Sequence, residues 1–139
     1  MPILNYTTKV PVNRTVSQIQ EKLAKGGAKG VLCEYDSSGL PDRITFSVDT
    51  PYGITYFKLP ANIQGVSKAL INDNTYKDEN HARRVAWRIL KDWIEAQLAI
   101  IEAGMAELEQ VFLPYAQTDN GQTVYERIGQ TGLLTRYGG

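Results

Sequence analysis

The sequence predicts an α+β domain: an antiparallel sheet of three to four strands packed on a helical layer that one long helix dominates. Three observations predict it. His81–Ala103 is the longest helical pattern in the chain and holds both tryptophans. Wound at about 100° per residue, it gathers Arg84, Arg88, Lys91, Asp92, Glu95 and Glu102 into a narrow polar arc. Apolar residues fill roughly 220°, against the ~100° stripe of an ordinary surface helix, so this helix must be buried on more than one side. Second, Arg43–Thr50 alternates, with Ile44, Phe46 and Val48 on one face and Thr45, Ser47 and Asp49 on the other. Third, Thr50-Pro51-Tyr52-Gly53 has the residues of a type I turn and leads into a return strand, Gly53–Leu59.

The elements follow in the order β-α-β-β-β-α-α-α. Leu4–Val12 is rich in β-branched and aromatic types and contains Pro11, which suits a fourth strand at the edge. Thr15 and Gln18 form a capping-box pattern for a first helix over Val16–Lys25, stopped by Gly26-Gly27. Gly30–Tyr35 reads as a strand, and Asp36–Asp42 is dense in turn formers. If Pro51-Tyr52 is the hairpin tip, Thr50 pairs with Gly53. Ile44, Phe46, Val48, Thr55, Phe57 and Leu59 then face inward, while Ile54, Tyr56 and Lys58 face outward. Pro60 suits the first turn of a helix ending near Ile71. Asp78 or Asn80 caps the long helix. Trp93 lies near the middle of its apolar arc and Trp87 near the edge, so Trp93 is expected to matter more for folding. Gly104 interrupts the helix, and Met105–Phe112 is either a kinked continuation or, the favoured reading, a second helix folded back. Thr123–Ile128 fits one or two helical turns. Residues 1–128 therefore make one domain, and Gly129–Gly139, with four glycines in eleven residues, reads as a flexible tail.

Composition excludes several functions. The formal net charge is zero, so no global field steers the chain to nucleic acid or acidic membranes. The charge is split, nine Lys/Arg against six Asp/Glu in residues 1–77 and six against nine in 78–139, which leaves homo-oligomeric, head-to-tail association open. Cys33 stands alone, as in a reducing compartment. Met1–Asn5 shows neither the charged nor the apolar region of a secretory leader, and no run is apolar enough to span a membrane. The expectation is a cytoplasmic protein.

Chemistry-bearing motifs are sparse. His81 and Cys33 are the two soft ligands and lie on unrelated elements, so neither a metal site nor a cofactor is expected. Lys25–Gly30 is glycine-rich and basic, but it follows a helix and precedes a strand, the reverse of a phosphate-binding loop. Lys25 and Lys29 there, and the row Arg84, Arg88, Lys91 on the long helix, are candidate phosphate or partner contacts. Solvated i,i+4 pairs, Arg88–Asp92 and Lys91–Glu95, are the plainer reading of that row. Tyr52 at the hairpin tip and Tyr56 beside Lys58 are candidate contacts too, since tyrosine buries area while keeping a polar end.

The segments AWRILKDWIEAQLAIIEAGM (86–105), VFLPY (111–115), LPANI (59–63) and DTPYG (49–53) resemble small proteins of unassigned function carried by bacteriophages and prophages. The likeness covers about residues 4–128 and brings no catalytic motif. It implies a non-enzymatic protein of a mobile element that acts by macromolecular binding. An accessory in nucleic-acid transactions, in replication or recombination, is the leading expectation. A protein-binding inhibitor of a host defence system is the alternative, and a small enzyme without a recognisable motif is the third. The partner is accordingly nucleic acid or a host or phage protein. The α-β-β-β-α order over 16–71 also resembles the double-stranded-RNA-binding domain. That module places a lysine cluster on its second helix, where this chain offers Lys68 alone, so its RNA-binding role does not carry over.

Overall fold

In the computed structural model, which describes residues 1–134, the sheet is antiparallel and three-stranded, with β1 (Gly30–Tyr35), β2 (Pro41–Thr50) and β3 (Gly53–Pro60) in that order. Helices α1 (Val12–Lys25), α2 (Ile63–Asn72) and α3 (Glu79–Glu102) form the second layer, followed by α4 (Leu108–Phe112), a 3-10 turn (Leu113–Tyr115) and α5 (Val124–Thr131). The β2–β3 register is the expected one: Thr50 opposes Gly53, Phe46 opposes Phe57 and Ile44 opposes Leu59. Ile44, Phe46, Phe57 and Leu59 are each at most 1% exposed and form the sheet side of the core.

The expected edge strand over Leu4–Val12 does not form. Residues 4–7 make a turn, with Asn5 in the left-handed region at φ 65°, and Val12 already belongs to α1. Side chains of α3 account for the difference. Asn5 Nδ2 donates to Asp92 Oδ2 at 2.8 Å, and the Tyr6 carbonyl lies 2.6 Å from His81 Nε2. These anchors hold the segment against the helical layer and away from the sheet. The free edge of β3 is instead met by Ala116, which bridges to Phe57, and by Gln117, whose N–H donates to the Tyr56 carbonyl at 2.7 Å.

The capping box at Thr15 is also overturned. Helix α1 begins four residues after Thr8, with Pro11 as the capping position and the Arg14 and Thr15 N–H groups bonded to the Pro11 carbonyl. Thr15 is fully buried, and its hydroxyl accepts from Arg88 Nη1 at 3.4 Å. Apolar spacing through Val12, Val16, Ile19 and Leu23 carries the helix one turn further back than the cap signal indicates. Gly26 ends it where α1 meets α3. A β-carbon there would lie 2.9 Å from Leu98 Cδ2, so any larger residue would push the Leu98 side chain aside. Pro60 closes β3 rather than opening α2; Asn62 caps that helix, accepting from the Gly65 N–H at 2.9 Å.

Asp78 caps α3 through the His81 N–H, as one of the two candidates for that role. Burial along α3 is uneven. Ala82, Val85, Ala86 and Trp87 are buried between the sheet and the neighbouring helices, whereas in the second half Ile94 alone is fully covered among the described residues. Trp87 is 0% exposed and its indole Nε1 donates to the Pro41 carbonyl at 3.2 Å. Trp93 is partly exposed. The expected ranking of the two tryptophans is therefore reversed: an apolar arc reports how much of a helix is covered but not where along its length. After Gly104, at φ 75°, the chain turns back as expected, and Phe112 plugs the core edge-on to Phe46 and Trp93, at ring-centroid distances of 5.3 and 5.6 Å. Helix α5 runs to Thr131, past the expected domain limit at 128, and Gly132 caps it in the left-handed conformation; residues 135–139 of the expected tail lie outside the described residues.

Arg83 is the buried charge of the fold, 5% exposed. It donates to the Pro41 carbonyl at 3.0 Å and to Asp36 and Glu79 carboxylates, each at 3.2 Å. Asp36 also accepts from the Leu40 and Ser38 N–H groups. The Leu40 backbone bond first, then that of Ser38 and the Arg83 guanidinium, hold its carboxyl below the usual range.

Two predictions follow from this packing. In chemical denaturation Trp87→Ala costs about 3–5 kcal/mol and Trp93→Ala costs less, because only the former opens a closed cavity and strips a buried hydrogen bond. Asp36→Asn is less stable than the parent chain at neutral pH. A depressed folded-state pKa contributes stability above the unfolded value of about 3.9 and loses it as pH falls through the folded one. The gap between the two proteins in a pH series of melting temperatures therefore closes in strong acid; a constant gap contradicts the assignment.

Candidate functional site

One face of the sheet packs on helices and the other is open. Alternation along the strands sets its composition. In successive rows across the sheet it presents Glu34 beside Arg43, Leu32 beside Thr45 and Lys58, Ser47 beside Tyr56, and Asp49 beside Ile54. Leu32, Ile54 and Tyr56 are 60, 66 and 52% exposed, and Tyr52 at the hairpin tip is 89% exposed. The middle strand supplies the small hydroxyl residues Thr45 and Ser47, so the larger side chains of β1 and β3 stand above a shallow trough.

The charges on this face are largely matched. Arg43 Nη2 lies 3.4 Å from Glu34 Oε2, and the Thr45 hydroxyl donates to Glu34 Oε1 at 2.6 Å. Lys29 lies 3.9 Å from Asp49. Lys58 Nζ donates to the Gly121 carbonyl at 3.4 Å. That last contact belongs to a cleft of about 560 Å³ where the face meets α5, lined by Arg43, Lys58, Tyr115, Tyr125, Thr123 and Glu126 among others. Glu126 is committed to the helix cap: its Oε1 accepts from the Thr123 N–H at 2.8 Å, and that backbone bond is the main cause of its lowered pKa. A second groove of about 400 Å³, floored by Ile89, Leu90 and Trp93, adjoins the cleft across Pro60 and Tyr115.

The candidate residues separate into three places. Tyr52, Tyr56 and Lys58 come together on the β2–β3 hairpin, on the open face. Lys25 is exposed at the end of α1 and paired with Glu21 at 3.1 Å, while Lys29 sits beside the sheet at Asp49. Arg84, Arg88 and Lys91 do not form a solvated ridge. All three are half-buried, Arg88 Nη1 donates to Gln18 Oε1 at 2.6 Å, and Lys91 lies beside Gln18 and Lys22 of α1. The expected Lys91–Glu95 pair is present, and it is the main cause of the lowered Glu95 pKa. The expected Arg88–Asp92 pair is replaced by the Arg88–Gln18 and Asp92–Asn5 bonds. Ile54 falls on the outward face by alternation but is not among the sequence candidates, nor are Arg43, Leu32, Tyr115 and Tyr125. Alternation also identifies Arg43 and Leu32, whereas the two tyrosines reach the site through a chain reversal that no local pattern encodes.

Cys33 points to the inner, helix-covered face, opposite Ile44 on the neighbouring strand, and burial raises its thiol pKa. The His81 ring is buried against the Tyr6 carbonyl. No group of three or more His, Cys, Asp or Glu able to hold a metal ion occurs among the described residues, and no helix among them is long and apolar enough to cross a membrane. Comparison with protein-family models, with curated proteins and with solved structures gives no match to this chain.

The environment of Cys33 sets its reactivity. A half-buried thiol with a raised pKa carries little thiolate at neutral pH. Its reaction with a disulfide reagent is expected to be slower in the folded protein than in urea; equal or faster labelling of the folded chain contradicts the inner-face placement.

Proposed function

We propose that the chain is a non-enzymatic binding protein that engages another protein through the open face of its sheet. The observation that carries the reading is the exposure of Leu32, Ile54 and Tyr56 on one face, with Tyr52 at its tip, among charges already paired with one another. Exposed aliphatic and aromatic anchors inside a polar surround are the composition of a protein-contact surface. A phosphate-tracking surface needs cations in excess, and here Arg43 and Lys29 are each matched by a carboxylate and the whole chain is neutral. With the resemblance to bacteriophage proteins, the partner is a host or phage protein in the cytoplasm, and inhibition of a host defence factor is the form the proposal takes.

A second reading has its own observation. Tyr56 and Lys58 share the open face of β3 with Arg43 on the neighbouring strand, an arrangement that can stack a base and hold its phosphate. It would make the protein a single-stranded nucleic-acid accessory.

One pair of experiments decides between them. The parent chain and an Ile54→Asp/Tyr56→Ala variant of unchanged circular dichroism serve as baits in the cells that carry the gene. A protein captured by the parent and lost from the variant is the expected result. Single-stranded DNA and RNA are titrated across a salt series in parallel. Micromolar binding that Arg43→Gln and Lys58→Gln weaken, each flattening the salt slope by about 0.7 units, would replace the protein-partner reading with the nucleic-acid one.

A further inference from the structure

We infer that the cleft beside α5 and the groove that shares Pro60 and Tyr115 with it form one peptide-binding site, whose ligand is a linear segment of a partner protein with an apolar side chain next to an acidic one. The inference rests on reading the chain as a protein-binding module. It adds a chemically defined contact at the end of the open face, beyond Leu32, Ile54 and Tyr56.

The two clefts share Pro60 and Tyr115, so one extended ligand can occupy both. Their chemistries differ. Asn62 apart, the residues lining the smaller groove are apolar or aromatic, and Ile89, Leu90 and Trp93 give it a floor that the core leaves half covered. Removing that surface from water is the driving force for an apolar side chain. The larger cleft carries Arg43, paired with Glu34, and Lys58, which has no carboxylate within ion-pair distance among the described residues. Arg43 reaches Glu34 through Nη2 alone, at 3.4 Å. Lys58 has a long bond to a neutral carbonyl. Glu126, the acid that lines this cleft, is bonded to the Thr123 backbone and reaches Lys58 only through space, with no ion pair between them. A ligand carboxylate placed at Lys58 gains a charge-assisted hydrogen bond without displacing a close existing pair.

A phosphate would satisfy the same cation, so single-stranded oligonucleotides are the control ligand. Trp93 is already packed across Phe112 and Tyr115, at ring-centroid distances of 5.6 and 5.5 Å. A base needs a ring face to stack on. An apolar side chain has no such requirement.

Trp93 is also the reporter, since it lines the groove while Trp87 is enclosed at Pro41. The probes are short capped peptides with one Leu or Phe beside one Glu, and matched controls with Gln for Glu or Ser for the apolar residue. The expected result is a saturable change in tryptophan emission by the Leu-Glu or Phe-Glu peptides. Either control change, or Lys58→Gln in a protein of unchanged melting temperature, weakens it about tenfold. No saturable change at millimolar peptide, equal binding of the Gln peptides, or a response to single-stranded oligonucleotides instead would overturn the inference. Its failure is distinguishable from that of the face reading. Partner capture lost in Ile54→Asp/Tyr56→Ala with silent peptides removes the cleft site alone. Capture retained in that variant removes the face reading, while the peptide titration still decides the cleft.

Discussion

The Pro41 carbonyl is where the two layers are fastened. It accepts two donors from α3, the Arg83 guanidinium at 3.0 Å and the Trp87 indole at 3.2 Å, one turn apart on the same helix. Everything about the arrangement follows from Arg83 being buried. A guanidinium cannot leave water unpaired, because a buried charge without a partner is costly. Asp36 and Glu79 supply the counter-charge, one from the β1–β2 connection and one from the first turn of α3. Asp36 also closes its own turn on Leu40 and Ser38. A single side chain thus fixes the start of β2, the shape of the preceding turn and the height of α3 over the sheet. Trp87 is then placed in the core, and the β2–β3 pairing extends from a fixed end.

Local patterns carried the sheet and the long helix because their information is local. Period-two alternation over Ile44–Val48 and the Pro51-Tyr52 tip specify a register without reference to any other element. The β1 bounds follow equally from the flanking glycine and turn residues. The misread parts are settled by distant partners. Asn5 and Tyr6 look like strand residues until Asp92 and His81 claim their polar groups. Thr15 looks like a cap until Arg88 of α3 bonds its hydroxyl inside the interface. Arg83 falls on the buried side of its helix, which hydropathy alone treats as a contradiction; only a carboxylate from another segment resolves it.

The candidate surface divides along the same line. Which residues share the open face is a consequence of pleat and register, so Tyr56 and Lys58 were legible beside one another. Helical periodicity likewise grouped Arg84, Arg88 and Lys91, but a period cannot say what covers the group, and α1 lies against Arg88 and Lys91. The cleft was out of reach because its far wall is built after the chain reverses at Gly104. Phe112 enters the core, Ala116 and Gln117 dress the β3 edge, and Thr123 starts α5 against the sheet. None of these contacts has a signature in spacing.

The open face has a cost that the rest of the sheet is arranged to contain. Exposed strands invite pairing with other strands. Here the β3 edge is met by Ala116 and Gln117, and the register of β1 shifts between Glu34 and Tyr35, which breaks the regularity of the other edge. On the face itself Thr45 and Ser47 separate Leu32 from Ile54 and Tyr56, so the apolar anchors stand apart instead of merging into one slick. Separate anchors over a hydroxyl-lined trough hold little affinity for a flat hydrophobic surface. They reward a partner whose own projections match the spacing, because only then are several anchors desolvated together. On the protein-binding reading proposed for this face, such an arrangement favours selectivity over affinity.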